Sequence, residues 1–232
     1  DFEKKFKIGN YLAPLTIALF ANSPFNENKL SGFLSYRGKV WQETNRGGIM
    51  PITFENINFE KYIDHAINYP ILFLKKNGKY YSPNGQTFRD FLNGNLSFLK
   101  GEKPTLEDFE NHLGTIFTEI RLKQVIEFRS LDTCNFSCIC NGPSFFTGLI
   151  YGSLDETYEI IKNWKKEEVM ESYLNAPKQG LNTLLNNKKL IDWGKIFLDL
   201  SKRGLERRNE LNKSGKNETI YLKHIEEIIK NK

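Results

Sequence analysis

Glu127 and Arg129 are the residues of this chain whose types and spacing most clearly suggest chemistry. They lie in the segment VIEFRSLDT (125–133), which the apolar Ile126 and Phe128 predict to be a buried strand. Alternate residues of a strand point to the same face, so the carboxylate and the guanidinium project together, away from the core. A fixed carboxylate is a good Mg²⁺ ligand, and a neighbouring guanidinium can bind phosphate oxygens. The pair therefore suits phosphoryl transfer, although a cross-strand salt bridge explains the spacing as well.

A second candidate lies in the segment SYRGKVW, where Arg37 stands between Tyr36 and Trp41. A guanidinium presented just after a loop can clamp a substrate carboxylate, because its fork of N–H groups matches the two carboxylate oxygens. A purely structural role for Arg37 is the alternative, and the residue types do not separate the two. The surrounding segment FLSYRGKVWQ (33–42) is predicted to be a strand or an extended segment.

Several widespread catalytic motifs do not occur in the sequence. It contains no Walker glycine loop, no G-x-G-x-x-G, no H-E-x-x-H and no G-x-S-x-G. Its three histidines, His65, His112 and His224, all fall in predicted helices. A histidine-based catalytic triad is therefore poorly supported.

Composition and charge limit the partners that this chain is expected to have. It is 39% hydrophobic and 13% aromatic, which is enough for a folded core, and its net charge is +5. No apolar run reaches the ~18–20 residues of a membrane span. From Ser201 onward nine Lys or Arg residues are interleaved with five Asp or Glu residues, a pattern typical of a solvated helix face. We therefore predict neither nucleic acid nor membrane as a partner.

The three cysteines, Cys134, Cys138 and Cys140, form a C-x3-C-x-C pattern. This is not a usual zinc spacing, and no histidine lies nearby in the sequence to complete a metal site. An odd number of cysteines also argues against a disulfide framework. We therefore predict three reduced cysteines in a cytoplasmic protein.

Hydrophobic periodicity and turn residues predict one α+β domain over residues 1–232. Strands and helices mix in 1–150, the predicted sheet and active-site part, whereas 151–232 is predicted to be a helical support. Residues 21–32 are predicted to be a loop, and PILFLKKNGKYYS a hairpin that turns at Asn77-Gly78. Helices are predicted at 2–20, 58–69, 87–94, 105–117, 143–152, 153–164, 166–175, 187–210 and 218–230.

The segments around these residues resemble one protein family in their order and spacing. They are ALFANSPFNENKLSGFLSYRGKVW, FEKYIDHAINYPILFL, GQTFRDFLNG, TLEDFENHLGTIFTEIRLKQVIEFRSLD, PSFFTGLIYG and GLERR. The series resembles glutamate–cysteine ligase of the kind found in plants and many proteobacteria, and it covers nearly the whole chain. Each motif alone is weak, but their common register is specific.

The resemblance implies a fold and a reaction. The fold is expected to be similar to that of glutamine synthetase, with an antiparallel sheet that forms a concave active site and helices that back it. The reaction joins the γ-carboxylate of glutamate to the amine of cysteine through a γ-glutamyl phosphate, with ATP and Mg²⁺ as cofactors. It is the first step of glutathione synthesis. Glutamate and cysteine are therefore the expected small-molecule partners.

The resemblance also implies roles for individual residues. Glu127 would bind Mg²⁺, and Arg129 would contact the transferring phosphoryl group of ATP and offset its charge. His112 falls in a family motif, but its place in a predicted helix favours a structural role.

On the substrate side, Arg37 matches the family arginine that holds a substrate carboxylate. Tyr36 and Trp41 would shape the pocket, and Asn22 and Ser23 lie in the matching loop and would border it.

This sequence also departs from the family pattern. Leu72 stands where plant members have a tyrosine in the first strand of the hairpin, which changes the expected shape of the cysteine site. The two cysteines of the plant regulatory disulfide fall at Pro83 and Phe98, so that redox switch is expected to be absent. Cys140, by contrast, matches a family cysteine.

Family members carry further acidic metal ligands upstream of the position where this chain begins. We therefore expect the chain to be a C-terminal portion whose sheet is incomplete at the N-terminus, to have little or no activity by itself, and to associate with a missing N-terminal segment. Two alternatives stay open: a related carboxylate–amine ligase that uses another amine, and a non-catalytic remnant that binds a partner chain.

Overall fold

Eleven α-helices and ten short strands follow one another along residues 1–231, the part of the chain that this computed structural model describes. The helices are α1 (Phe2–Tyr11), α2 (Ala13–Leu19), α3 (Tyr36–Glu43), α4 (Phe59–Asn68), α5 (Phe88–Leu92), α6 (Leu106–Gly114), α7 (Asn141–Thr147), α8 (Leu154–Ile161), α9 (Lys166–Gln179), α10 (Leu190–Arg208) and α11 (Lys223–Lys230). The strands are β1 (Phe25–Asn26), β2 (Lys29–Leu30), β3 (Gly47–Gly48), β4 (Leu74–Lys76), β5 (Lys79–Tyr81), β6 (Phe117–Thr118), β7 (Ile120–Leu122), β8 (Ile126–Phe128), β9 (Leu184–Leu185) and β10 (Lys188–Lys189). Within residues 1–231, no helix is both long and apolar enough to cross a membrane.

The strands pair two by two. β1–β2, β4–β5, β7–β8 and β9–β10 are antiparallel, and β3–β6 is parallel. The mixture of helices and small sheets confirms the predicted α+β class. The five pairs do not join into the antiparallel sheet that the resemblance implies. Each strand has only two or three residues, and helices separate most of the pairs along the chain.

The chain divides into two compact units. The first unit comprises residues 1, 3–44 and 130–232, and the second comprises residues 2 and 45–129. Each unit contains part of the predicted site residues, so each is described by itself. The predicted division at residue 150 stays a prediction.

The core of the first unit surrounds α2, all of whose residues are buried. The predicted helix over 2–20 is interrupted at Leu12, and Pro14 lies in the first turn of α2, where its missing N–H is not needed. α10 crosses a π-helical turn at Gly148–Gly152 so closely that Gly204 packs directly against the backbone of Gly148.

The second unit has its core under the β4–β5 hairpin. Ile71, Leu74, Phe88, Phe91 and Leu96 form a buried apolar cluster there. The Asn77-Gly78 turn has positive φ at both residues, 49° and 75°, as a tight two-residue hairpin turn requires.

Side-chain caps fix where the helices of this unit begin. The Asn58 side chain accepts a hydrogen bond from the Lys61 N–H at the start of α4. Thr87 with Asp90, and Thr105 with Asp108, form complete capping boxes at α5 and α6. The predicted helices over 58–69 and 87–94 are thereby confirmed. The helix predicted over 105–117 is confirmed up to Gly114 but ends there, and Phe117 begins strand β6.

Two sequence predictions about local structure were wrong. Residues 36–43 form helix α3 instead of a strand, because the Ser35 side chain accepts a hydrogen bond from the Gly38 N–H and caps the helix. The predicted loop over 21–32 contains the β1–β2 pair, which turns at Glu27 and Asn28 with φ of 48° and 63°.

The prediction of three reduced cysteines was also wrong. Cys134 and Cys138 are joined in a disulfide, and Cys140 is free and exposed. Asn135 begins a 3-10 turn over Phe136–Cys138, and this turn brings the two Cα atoms within 6.1 Å of each other. That separation lies in the ordinary range for a disulfide.

Candidate active site

Glu127 and Arg129 lie on the β7–β8 hairpin of the second unit. In the register of this pair, Arg121 lies directly opposite Glu127. The Arg129 N–H donates to the Glu119 carbonyl at 2.9 Å, which continues the ladder by one residue at each end. Residues two apart in a strand share a face, so the side chains of Glu119, Arg121, Glu127 and Arg129 are expected on one face of the hairpin, with each acid opposite an arginine in the register.

The Glu127 carboxylate is held from one side only. Arg121 donates to its Oε2 atom from Nε at 2.9 Å and from Nη2 at 2.5 Å, and the Arg129 Nη1 lies 3.5 Å from the same oxygen. Within residues 1–231, the structure gives the Oε1 atom no hydrogen bond, and the Glu127 side chain is 29% exposed. The carboxylate is thus fixed through one oxygen while the other can bind a ligand.

Arg121 also anchors the hairpin to its own unit. Its Nη1 atom donates to the Gly114 carbonyl at the end of α6, at 2.6 Å, and its side chain is only 12% exposed. A guanidinium with this many fixed bonds holds the Glu127 oxygen in a defined place.

A buried tyrosine supports β7 on the side of α4. The Tyr62 hydroxyl donates to the Leu122 carbonyl at 3.0 Å and accepts from the Leu122 N–H at 2.9 Å. Burial raises the pKa of Tyr62 to about 12, so the hydroxyl keeps its proton at neutral pH and both bonds persist. This clamp fixes the end of β7 next to Arg121.

The hairpin donor set suits one Mg²⁺ ion bound together with a phosphate. Mg²⁺ is commonly bound by one or two carboxylates, with phosphate and water oxygens as its other ligands. The open Oε1 atom of Glu127 could serve as such a ligand, and Arg129 beside it could bind phosphate oxygens. Residues 1–231 contain no group of three or more His, Cys, Asp or Glu side chains that could hold a metal ion. A bound ion would therefore need phosphate and water oxygens as further ligands.

Sequence reasoning missed Glu119 and Arg121, although a signal was present. The segment TEIRL contains Glu119 and Arg121 two positions apart, and this repeats the E-x-R spacing of Glu127 and Arg129. Two such segments that pair antiparallel place each acid opposite an arginine. Glu119 itself is fully buried.

The other predicted residues lie together in the first unit, around the carboxylate of Asp132. Its Oδ2 atom accepts from the Asn22 N–H at 2.8 Å and from the Ser23 hydroxyl at 2.6 Å. Its Oδ1 atom accepts from the Ser35 hydroxyl at 2.8 Å. Asp132 is 8% exposed, and sequence reasoning did not assign it a role although it lies three residues beyond Arg129.

Arg37 lies in the first turn of α3. Its backbone N–H donates to the Ser23 hydroxyl at 3.0 Å, and the Tyr36 N–H donates to the Ser23 carbonyl at 2.8 Å. The Arg37 guanidinium lies over the Trp41 ring, 5.3 Å from its centroid. The ring and the guanidinium thus support each other, as a cation–π contact does.

His112 has a structural place in the second unit. It is buried in α6, its Nε2 atom is 2.8 Å from the Ala66 carbonyl of α4, and its ring stacks on Phe88. Burial lowers the pKa of His112 from its ordinary value of 6.5, and this outweighs the hydrogen bond to Ala66, which acts in the opposite direction.

The two clusters, one in each unit, contain arginines of the kind that can bind anions and a carboxylate of the kind that can bind a divalent cation. Comparison with known sequences gives the family: residues 4–231 match the profile of glutamate–cysteine ligase family 2 (GCS2). The chain belongs to this family, which confirms the resemblance.

Curated relatives agree over almost the full length of this chain. It is 40% identical to the chloroplastic glutamate–cysteine ligase of Solanum lycopersicum, 39% to ligase B of Oryza sativa subsp. japonica and 38% to the enzyme of Arabidopsis thaliana. Each alignment covers 99% of this chain but only 44%, 46% and 44% of these relatives, respectively. The chain therefore spans less than half the length of the curated relatives it matches.

The predicted cytoplasmic location was wrong. The relatives from tomato, rice, tobacco and Arabidopsis are all named chloroplastic. The prediction rested on the cysteine pattern, which does not identify a compartment.

Proposed function

We propose that this chain supplies part of the active site of an ATP-dependent glutamate–cysteine ligase. In this reaction the γ-carboxylate of glutamate attacks the γ-phosphate of ATP, which breaks the bond to the β,γ-bridging oxygen and gives a γ-glutamyl phosphate and ADP. The amine of cysteine then attacks the acyl carbon and displaces phosphate. The chain spans less than half the length of its relatives, so the substrates and the activity are proposals for it.

The main observation behind this proposal is that Glu127 is hydrogen-bonded through only one of its two carboxylate oxygens. Two arginines contact Oε2, and Oε1 remains open to a ligand in a chain that belongs to the family. When bound, Mg²⁺ would neutralise phosphate charge and orient the transferring group. Glu127 would hold the ion through Oε1, and Arg129 would bind oxygens of the phosphoryl group as their negative charge grows.

The cluster around α3 would bind glutamate. Arg37 presents a guanidinium whose backbone is fixed through Ser23 and whose side chain packs on Trp41. Such a preorganised guanidinium can take a carboxylate in a bidentate manner. Tyr36 and Trp41 would shape the pocket, and Asn22 and Ser23 would border it.

We also propose that the β7–β8 hairpin belongs to an antiparallel sheet like that of glutamine synthetase when further strands lie beside it. The short pairs observed here are compatible with this, because β7 and β8 are already antiparallel. Association with a further segment of the ligase is part of the same proposal.

Titration of L-glutamate into the chain by isothermal calorimetry tests the substrate side. Arg37→Ala is expected to weaken glutamate binding by at least about tenfold, since a charged hydrogen-bonding partner is lost. Arg203→Ala, an exposed arginine of α10 paired with Asp199, is the matched control and should bind as the unaltered chain does. Equal affinity of Arg37→Ala and the control would contradict the role of Arg37.

One observation favours a related ligase that accepts another amine. Leu72, where plant members have a tyrosine, is 39% exposed beside the hairpin. Binding of cysteine should be compared with that of other amino acids, in the unaltered chain and in Leu72→Tyr. Preference for an amine other than cysteine, shifted towards cysteine by the substitution, would favour this second function.

A further inference from the structure

Asp132 is the centre of a hydrogen-bond network in the first unit. Its carboxylate accepts three hydrogen bonds, from the Asn22 N–H and from the hydroxyls of Ser23 and Ser35, at 2.6–2.8 Å. A buried carboxylate with three donors is held firmly, since each bond satisfies charge that burial has removed from water.

The hydrogen bonds of Asp132 continue through two serine hydroxyls to the first turn of helix α3. Each serine gives its hydroxyl proton to the carboxylate, and its oxygen then accepts an N–H from the first turn of the helix. The Ser23 oxygen accepts from Arg37 at 3.0 Å, and the Ser35 oxygen accepts from Gly38 at 3.0 Å. One negative charge thus stabilises two helix N–H groups, which carry the partial positive charge of the helix N-terminus.

The start of α3 is also confined on its other side. The N–H groups of Leu34 and Ser35 both donate to the Pro177 carbonyl in α9, at 2.8 and 3.0 Å. A Cβ atom on Gly38 would lie only 3.0 Å from the Pro177 Cγ atom. Helix α3 therefore has little room to shift as long as Asp132 holds its first turn.

We propose that Asp132 is a positioning residue for Arg37: it fixes the first turn of α3 so that the Arg37 guanidinium meets a substrate carboxylate. This proposal rests on the proposed function, because it requires Arg37 to bind the substrate. Asp132 itself does not contact the substrate. It acts through Ser23 and Ser35, and its loss would leave these hydroxyls free to turn away from the helix.

A double-variant cycle of Asp132→Ala and Arg37→Ala, with L-glutamate as the probe in calorimetry, tests the proposal. Asp132→Ala is expected to weaken binding by about tenfold, and the conservative Asp132→Asn by less, because its amide keeps one acceptor oxygen. If Asp132 acts through Arg37, the double variant binds no more weakly than Arg37→Ala alone. Additive losses, or undiminished binding by Asp132→Ala, would overturn the proposal.

Amide hydrogen exchange supplies the second readout. Exchange at the Arg37 and Gly38 amides should be faster in Asp132→Ala, while the buried amides of α10 keep their protection, which shows that the chain is folded. Asp199→Ala, an exposed acid of α10, is the matched control and should leave both amides unchanged. Unchanged exchange at these amides in Asp132→Ala would overturn the proposal.

The two readouts also separate this proposal from the proposed function. If the unaltered chain binds no glutamate, the assignment of the substrate site fails and takes the role of Asp132 in binding with it, whatever the exchange shows. If glutamate binds through Arg37 and the exchange is unaffected by Asp132→Ala, the proposed function stands and only the positioning role fails.

Discussion

At the scale of single residues, the two oxygens of Glu127 have different surroundings. Arg121 and Arg129 both reach Oε2, and Arg121 is the more buried partner, with 12% of its side chain exposed. A carboxylate held by a buried arginine stays in place, which a metal ligand requires. Arg121 thus contributes to the site by fixing Glu127.

Arg121→Met tests how firmly the hairpin depends on this contact. The substitution keeps an unbranched apolar stem but leaves the Glu127 Oε2 atom and the Gly114 carbonyl without their main donor. We expect the free energy of unfolding to fall by about 1–3 kcal/mol, measured by urea unfolding with circular dichroism.

Arg203→Met is the control, because it breaks an ion pair with Asp199 in which both side chains are about half exposed or more. An exposed pair contributes little, so the loss should stay within about 0.5 kcal/mol. Equal losses in the two variants would show that the Arg121 contact is not special.

At the scale of elements, close backbone approaches decide how α10 is placed. A Cβ atom on Gly204 would lie 2.0 Å from the Gly148 carbonyl oxygen, and one on Gly148 would lie 2.2 Å from the Ser201 carbonyl oxygen. Both clashes are with backbone atoms, which cannot move away by a change of rotamer as a side chain can. Only glycine allows the helix and the π-helical turn to touch in this way.

Two glycine substitutions in α10 should therefore have different effects on stability. Gly204→Ala is expected to lower the free energy of unfolding by about 1–3 kcal/mol or more, because the two backbones must separate. Gly194→Ala, where the nearest atom is the flexible Ile229 Cδ1 at 3.4 Å, should be neutral or raise stability by up to about 1 kcal/mol. Urea unfolding followed by tryptophan fluorescence measures both, and a loss in Gly194→Ala as large as in Gly204→Ala would contradict the packing argument.

The contact between α4 and α6 predicts a pH dependence of stability. Burial lowers the pKa of His112 and that of His65 from 6.5. Below pH 6.5 the folded protein therefore binds fewer protons at these histidines than the unfolded chain does. The free energy of unfolding is therefore expected to be highest above pH 6.5 and to fall as the pH drops towards 5, by at most about 1.4 kcal/mol per pH unit for each histidine.

His112→Gln isolates one contribution to this slope. Glutamine has no group that titrates in this range, so the decline in stability between pH 7 and 5.5 should become shallower than in the unaltered chain. His65→Gln measures the other contribution in the same urea experiments. Identical slopes in the unaltered chain and in His112→Gln would contradict the inferred burial of a neutral imidazole.

At the scale of the whole molecule, the helices and turns that were predicted correctly are those whose boundaries are set by residues close by in the sequence. The capping residues Asn58, Thr87 and Thr105 and the Asn77-Gly78 turn act within a few residues, and the helices and hairpin that they begin were predicted correctly. The pairing of Glu127 with Arg129 also followed from local strand geometry.

The features that the sequence did not predict depend on contacts far apart in the chain. Helix α3 forms where a strand was expected because Asp132, 97 residues beyond Ser35, binds the capping hydroxyl. The glycine contacts of α10 join Gly204 to Gly148 and could not be read from either segment alone. Arg121 is an exception, since the repeated E-x-R spacing was visible in the sequence.

The β7–β8 hairpin is proposed to bind the phosphates of ATP together with Mg²⁺. Titration of Mg·ATP into the chain by isothermal calorimetry, repeated with Glu127→Gln, Arg129→Ala and the exposed-residue control Glu102→Gln, tests it most directly. We predict that the unaltered chain and the control bind equally and that the two hairpin variants lose at least about tenfold in affinity. No binding by the unaltered chain, or equal affinity in all four proteins, would contradict the claim.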